Sequence, residues 1–370
     1  MTGTLGYTGG TMTRPASRFA KILCLLVFGL IHGAAGGATG SQGNSAVIFM
    51  YHHFGEPDHP STNIRLDQFE AQLDHLQQAG YQILPLEDIV AALQAGQPLP
   101  TRAVAITIDD AYRSVYTQAY PRLRARGWPF TVFVATEPVD RGLPAFMTWD
   151  QMREMQRFGA RFANHSRRHD FLIRRRPGET EAQWSDRVRA DLMHAQQRLE
   201  TELGSAPRLF AYPYGEYDTA LAALVRKLGF VAFGQQSGAV GPGSDLRALP
   251  RFPMAEAFAD LEQFRIKAAA LPLPVIEVTP WDPVTETPRP RMLLRLDASD
   301  ARLDQLACYA SGQGRLPVQW LDREALYLAV QALRPLPIGR SRYNCTAPSA
   351  QPGRFYWFSH LWIRRPAPSQ

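Results

Sequence analysis

Between residues 45 and 252, short apolar runs alternate with stretches of helical periodicity, and no other feature limits the fold as strongly. The apolar runs fall at 45–54, 81–84, 103–108, 130–135, 161–164, 209–212, 230–233 and 249–252. Helical spacing occupies 66–80, 86–95, 114–126, 148–157, 181–203 and 218–228; in the first of these Leu66, Phe69, Leu73 and Leu76 recur on one face and Gly80 provides the stop. Strand–helix alternation calls for a parallel sheet with helices on its faces. This many repeats favours a closed or nearly closed α/β barrel, in which chemistry sits on loops at the carboxyl ends of the strands. With 45% hydrophobic and 20% charged residues the chain can build a sizeable core.

The pattern changes near residue 270. Leu271-Pro-Leu-Pro274 reads as a stiff linker, and short strand-like runs at 275–278, 291–296, 307–310, 318–320, 326–330 and 355–362 follow, separated by Pro, Gly and Asp. A small all-β, sandwich-like domain over 271–370 is expected, after a catalytic domain over 41–270. Its aromatics, Phe355 to Phe358 and Trp362, read as sandwich core rather than as a sugar-stacking face. Residues 1–40 read as a secretory signal and short leader: Arg14, Arg18 and Lys21 precede the apolar run Ile22 to Ile31, and small residues follow. Export to a periplasmic, extracellular or cell-envelope location is expected, without a stable transmembrane domain. Cys24 would leave with the signal. Cys308 and Cys345 remain, an even pair in an oxidising compartment, and are expected to be joined. The net charge of +6 is scattered and reads as a solvated basic surface; no nucleic-acid partner is expected. The run Arg174–Arg176 reads the same way. Oligomeric state is not legible.

Three groups carry chemistry. Asp109 and Asp110 follow directly on an apolar strand, and adjacent carboxylates suit a division of labour between holding a cation and handling a proton. His165 and His169 lie four apart just after another strand; with Asp110 they supply two imidazoles and a carboxylate, leaving coordination positions open, as catalytic metal sites do. Phe210-Ala-Tyr-Pro-Tyr-Gly215 is a sharp turn that can bring a backbone N–H close to a ligand.

In that order, Asp-Asp, His-x-x-x-His and Pro-Tyr-Gly closely resemble the polysaccharide deacetylase family (NodB homology, carbohydrate esterase family 4) over roughly residues 47–265. Met50-Tyr-His-His53 and Leu249-Pro-Arg-Phe-Pro253 look most like the subgroup acting on poly-β-1,6-N-acetylglucosamine. The resemblance implies a distorted (β/α) barrel and a metal-dependent hydrolase removing N-acetyl groups from an envelope or extracellular polysaccharide. It implies Asp110, His165 and His169 as ligands of a divalent metal, usually zinc, with cobalt, nickel or iron in related members. Asp109 becomes the base for a metal-activated water, and the backbone N–H of Tyr214 an oxyanion donor. His52 becomes the general acid, with His53 as its competitor and a plain structural role as the alternative.

The chain departs from the family at two positions. The family's Gly after the Asp pair is Ala111, and the Arg that heads Arg-x-Pro-Tyr-Gly and orients the catalytic Asp is Ala211. Arg251 is the candidate substitute, the alternative being ordinary structural use. Trp149 and Asp150 resemble a family helix start, though Thr148 or Asp150 as a helix cap accounts for them. Two other functions stay open: a catalytically silent carbohydrate-binding or assembly protein, and a deacylase of O-acetyl esters, small amides or peptidoglycan.

Overall fold

Seven strands form the spine of a curled, largely parallel sheet. Their order is Val231–Phe233, Leu209–Ala211, Ala160–Asn164, Phe130–Val134, Ala103–Asp109, Ala46–Tyr51 and Ala239–Val240. Gln82–Ile83 pairs with Ala103–Asp109, and Phe252–Pro253 with Ala46–Tyr51. The structure is a computed structural model and describes residues 42–366; the signal reading of residues 1–40 lies outside them. The two central strands, Ala46–Tyr51 and Ala103–Asp109, are buried along their whole length. Apolar clusters on both faces explain why these runs are continuous rather than alternating. Among the described residues the end strands of the sheet do not pair with each other, so the barrel is a half-barrel and not closed.

Helices form where periodicity places them. Leu66–Gln78 buries Phe69, Leu73 and Leu76, and Leu86–Ala95 ends at the left-handed Gly96. Glu181–Leu203 is opened by a capping box in which Thr180 and Gln183 exchange hydrogen bonds. Thr148 caps Trp149–Gln156 in the same way. Three expectations change. The helix expected over 114–126 begins as a π-helical turn, Val115–Ala119, and becomes α-helical only over Tyr120–Ala125. Pro121 has no N–H to offer the Thr117 carbonyl, which favours the wider turn. The strand expected over 249–252 reduces to Phe252–Pro253, because Pro250 cannot donate to a ladder. The expected linker at Leu271-Pro-Leu-Pro274 is partly strand: Leu271–Pro272 pairs in parallel with Phe355–Arg364.

The C-terminal region is β-rich. A six-stranded sheet holds Leu271–Pro272, Val284–Thr285, Ala307–Ala310, Gly314–Leu316, Gly339–Pro348 and Phe355–Arg364. It faces a four-stranded sheet of Val275–Thr279, Arg291–Leu296, Val318–Asp322 and Tyr327–Gln331. Met292, Leu294, Leu328 and Val330 from one sheet meet Tyr343, Cys345 and Trp362 from the other in a shared core. Cys308 and Cys345, directly opposed on neighbouring strands, are disulfide-bonded. The bond closes a loop of 37 residues and so restricts the unfolded chain by about 4 kcal/mol. Trp362 is core; Tyr356 and Phe358 pack against it half-buried, while Trp357 meets Phe252 edge-on, ring centroids 5.2 Å apart. Leu361 and Ile363 reach a different cluster, beside Phe210, Tyr212 and Trp184 of the half-barrel. No helix of the described residues is long and apolar enough to cross a membrane.

Candidate metal centre and active site

The carboxyl ends of neighbouring strands bring the candidate residues together. Asp109 ends Ala103–Asp109, His165 follows Ala160–Asn164, the Pro213–Gly215 turn follows Leu209–Ala211, and His52 follows Ala46–Tyr51. Asp110, Ala111, Ser166, His169 and Tyr214 all have positive φ, between 59° and 73°. Only two other non-glycine residues among those described do, Arg102 and Leu326. Left-handed backbone at such residues costs on the order of 1–3 kcal/mol each and gathers where a site demands it. Ala111, at φ 59°, stands where the resembled family has Gly, which that conformation suits better.

Asp110 Oδ1 lies 3.3 Å from His165 Nε2 and 3.2 Å from His169 Nε2. The carbonyl of Ala211 can only accept, so His165 Nδ1, 2.8 Å away, donates to it. That bond turns the Nε2 of His165 toward Asp110 and fixes the ring, the usual support for a metal-binding imidazole. Donor separations of 3.2–3.3 Å match adjacent corners around a cation bonded at about 2.1 Å. Burial alone would raise the Asp110 pKa, but the hydrogen bond and charge of His165 beside it hold it well below the usual carboxylate range. Burial, reinforced by His165, pushes His169 down to about 4, so at neutral pH it is an uncharged donor. Burial disfavours a charged His165 too, but Asp110 and Asp109 outweigh it and raise its pKa. A divalent cation would displace the proton that Asp110 and His165 share. The donor set and its support fit such an ion.

Asp109 is wholly buried and is gripped by Arg251, itself wholly buried. Arg251 Nη1 and Nη2 donate to the two carboxylate oxygens at 2.7 and 2.8 Å. The guanidinium is held in turn by the Gly234 carbonyl at 3.0 Å and the Thr107 hydroxyl at 3.2 Å. Burial would raise the Asp109 pKa; Arg251 and His165 more than offset it and keep the acid ionised. Each oxygen gives one lone pair to Arg251 and retains another. His52 Nε2 stands 3.9 Å from Asp109 Oδ2. His53, its neighbour in sequence, turns away: its Nδ1 is 3.0 Å from the Thr62 hydroxyl, and its ring lies between Tyr112 and His59.

His53, Glu56 and His59 form a second group with donors near one another. The two imidazoles are stacked, centroids 4.4 Å apart and planes 17° from parallel. An ion lies in the plane of each imidazole it binds, so stacked rings cannot share one well.

Tyr214 sits at φ 60°, ψ 4° in a tight turn in which Gly215 and Glu216 N–H donate to Tyr212 and Pro213 carbonyls. Its ring stacks on Phe171 at 3.9 Å and meets His169 edge-on at 4.5 Å. A side chain at Gly215 would come within 2.7 Å of Gln235, so only Gly fits. Arg340, which the sequence did not flag, reaches this turn from the C-terminal region.

Residues 96–233 match the family model for polysaccharide deacetylase. Over those residues the chain resembles polysaccharide deacetylases. The chain is 27% identical over 249 residues to a poly-β-1,6-N-acetyl-D-glucosamine N-deacetylase of Escherichia coli K12, covering 57% of this chain and 37% of the relative. The chain thus spans little more than a third of that relative's length. A Staphylococcus aureus poly-β-1,6-N-acetyl-D-glucosamine N-deacetylase is 24% identical, covering 56% of this chain and 73% of the relative. The structure of IcaB from Ammonifex degensii superposes with a TM-score of 0.53 at 27% identity, over 61% of this chain and 98% of that one. Streptococcus pyogenes deacetylase PplD shares the fold, with a TM-score of 0.54 at 24% identity, over 59% of this chain and 96% of that one.

Proposed function

We propose that this protein is an exported, metal-dependent N-deacetylase of an N-acetylglucosamine-containing envelope or extracellular polysaccharide. The observation that carries the reading is a buried, ionised carboxylate, Asp109, pinned by Arg251 immediately beside the Asp110–His165–His169 donor set. Asp110, His165 and His169 hold a divalent cation, zinc in our reading, with cobalt, nickel and iron suited to the same donors. When bound, the cation polarises the acetamide carbonyl and makes a water acidic enough to attack at neutral pH. Asp109 accepts the proton from that water through the lone pair Arg251 leaves free. Arg251 fixes the direction of that lone pair. The Tyr214 N–H, exposed by the left-handed turn, donates to the oxyanion that develops on the carbonyl oxygen. His52, across Asp109, supplies the proton that the leaving amine needs. The poly-β-1,6-linked polymer is the favoured substrate, on the strength of what the E. coli and S. aureus relatives are named for.

Acetate release should be measured with purified protein on β-1,6-linked N-acetylglucosamine oligomers, chitooligosaccharides, peptidoglycan and an O-acetyl ester, with chelator and after metal is restored. Release from the β-1,6 oligomer, abolished by chelator and recovered with zinc, is expected. Asp109→Asn should lower it by about 10²-fold or more while metal content holds. Metal-loaded protein that binds these glycans and frees acetate from none would establish the silent-binding reading instead.

A further inference from the structure

We infer that Arg340, delivered by the Gly339–Pro348 strand of the C-terminal region, is a positioning residue for the Tyr214 turn and makes that region part of the deacetylation machinery. The inference rests on the deacetylase reading above and extends it beyond the half-barrel.

Arg340 lies 126 residues from the turn in sequence, yet its Nη1 donates to the Tyr214 carbonyl oxygen. Its Nε stands 3.7 Å from Glu216 Oε1, a carboxylate whose side chain is only 7% exposed. One guanidinium therefore donates to one acceptor and stands at ion-pair distance from another, the two flanking Gly215. The Tyr214 carbonyl direction is set by the ψ of Tyr214, and a donor held on that oxygen fixes that angle. Tyr214 and Gly215 are both left-handed, at φ 60° and 68°. Gly215 adopts that conformation freely, whereas Tyr214 bears a cost there that contacts around it must hold against.

The turn has other supports. Phe171 and His169 hold the Tyr214 ring, and Gln235 fills the space against Gly215. These restrain the side chain and one backbone face; Arg340 alone among the described side chains donates to the turn's own carbonyl at Tyr214. Burial raises the Glu216 pKa, and Arg340 is foremost among the cations that oppose the rise, with Arg174 and Arg365 behind it. Arg340 itself is partly open to solvent, 44% exposed, and touches none of the candidate metal ligands. Its effect on catalysis passes through the turn that presents the Tyr214 N–H.

The test compares full-length wild type with Arg340→Ala and Arg340→Lys by steady-state acetate release, metal content, melting temperature and amide hydrogen exchange across residues 212–218. In Arg340→Ala we expect kcat to fall about tenfold with KM and metal content unchanged, less than the roughly 10²–10³-fold that outright loss of an oxyanion donor costs. Exchange at the Gly215 and Glu216 amides should quicken several-fold. Arg340→Lys should restore part of both, since an ammonium can still reach one acceptor. An unchanged kcat overturns the inference. So does equal failure of both variants together with a lost melting transition, which would mark Arg340 as scaffold. Should the wild type release no acetate, the deacetylase reading falls by itself. Exchange then decides alone whether Arg340 holds the turn, and unaltered exchange in Arg340→Ala sinks it.

Discussion

The role proposed for Asp109 makes two demands: it must stay ionised while wholly buried, and it must keep one lone pair for a proton. Arg251 meets both, because a planar fork takes one lone pair from each oxygen and supplies the counter-charge. Replacing Arg251 with Met removes the counter-charge and leaves the acid stranded. Arg251→Met should cost about 3–5 kcal/mol in urea unfolding. With the arginine gone the Asp109 pKa rises, so the acid limb of the kcat–pH profile should move to higher pH. The residue was legible because the arginine missing at Ala211 created a vacancy that another strand end had to fill. His360 makes a different prediction. Burial pushes its pKa to about 4, and its Nε2 has no hydrogen-bond partner among the described residues. The unfolded chain takes up a proton near the ordinary value of 6.5 and the folded chain only near 4. Stability is therefore whole above pH 6.5 and is lost progressively down to pH 4, by about 3 kcal/mol. His360→Phe should flatten that part of the stability–pH curve relative to wild type; a parallel curve would refute the assignment.

Elements with strong periodicity were readable from sequence to within a residue or two. Leu86–Ala95, Glu181–Leu203 and Arg291–Leu296 fall where spacing put them. The longest omission is Gly339–Pro348. Its inward positions are Ser341, Tyr343, Cys345 and Ala347 and its outward ones Arg340, Arg342, Asn344 and Thr346. Period two is present, but a weakly apolar inward set and two outward arginines hide it. Arg340 was unreadable for the same reason, and because its partner turn lies 126 residues away. Proline shaped the other differences, at 121, 250 and 272, where a missing N–H changed a helix, shortened a strand and placed an expected linker at a sheet edge. At the same scale, Thr180→Ala should lower stability by about 1 kcal/mol, because the Glu181–Leu203 helix would lose its reciprocal cap. Urea denaturation would measure it.

The change of composition near residue 270 suggested a boundary, and the two halves do have different architectures. They do not have independent interiors. Leu361 and Ile363 are packed beside Phe210 and Tyr212, and Trp357 covers Phe252. A chain ended at residue 270 would expose those apolar surfaces, so we expect it to bind a hydrophobic dye and lack the near-ultraviolet signal of fixed aromatics. A well-ordered, soluble fragment would show instead that the half-barrel can close over the gap.

That last strand bears on how the molecule is made. Synthesis runs from the amino end, so the strands bearing the acids and imidazoles emerge long before residues 355–364 exist. Until residues 355–364 are made, the half-barrel lacks part of its own interior, and the Tyr214 turn lacks its clasp until residue 340 arrives. A nascent chain would therefore wait, incompletely packed, until residue 364 is made, and a molecular chaperone that shields apolar surface would have to bridge the interval.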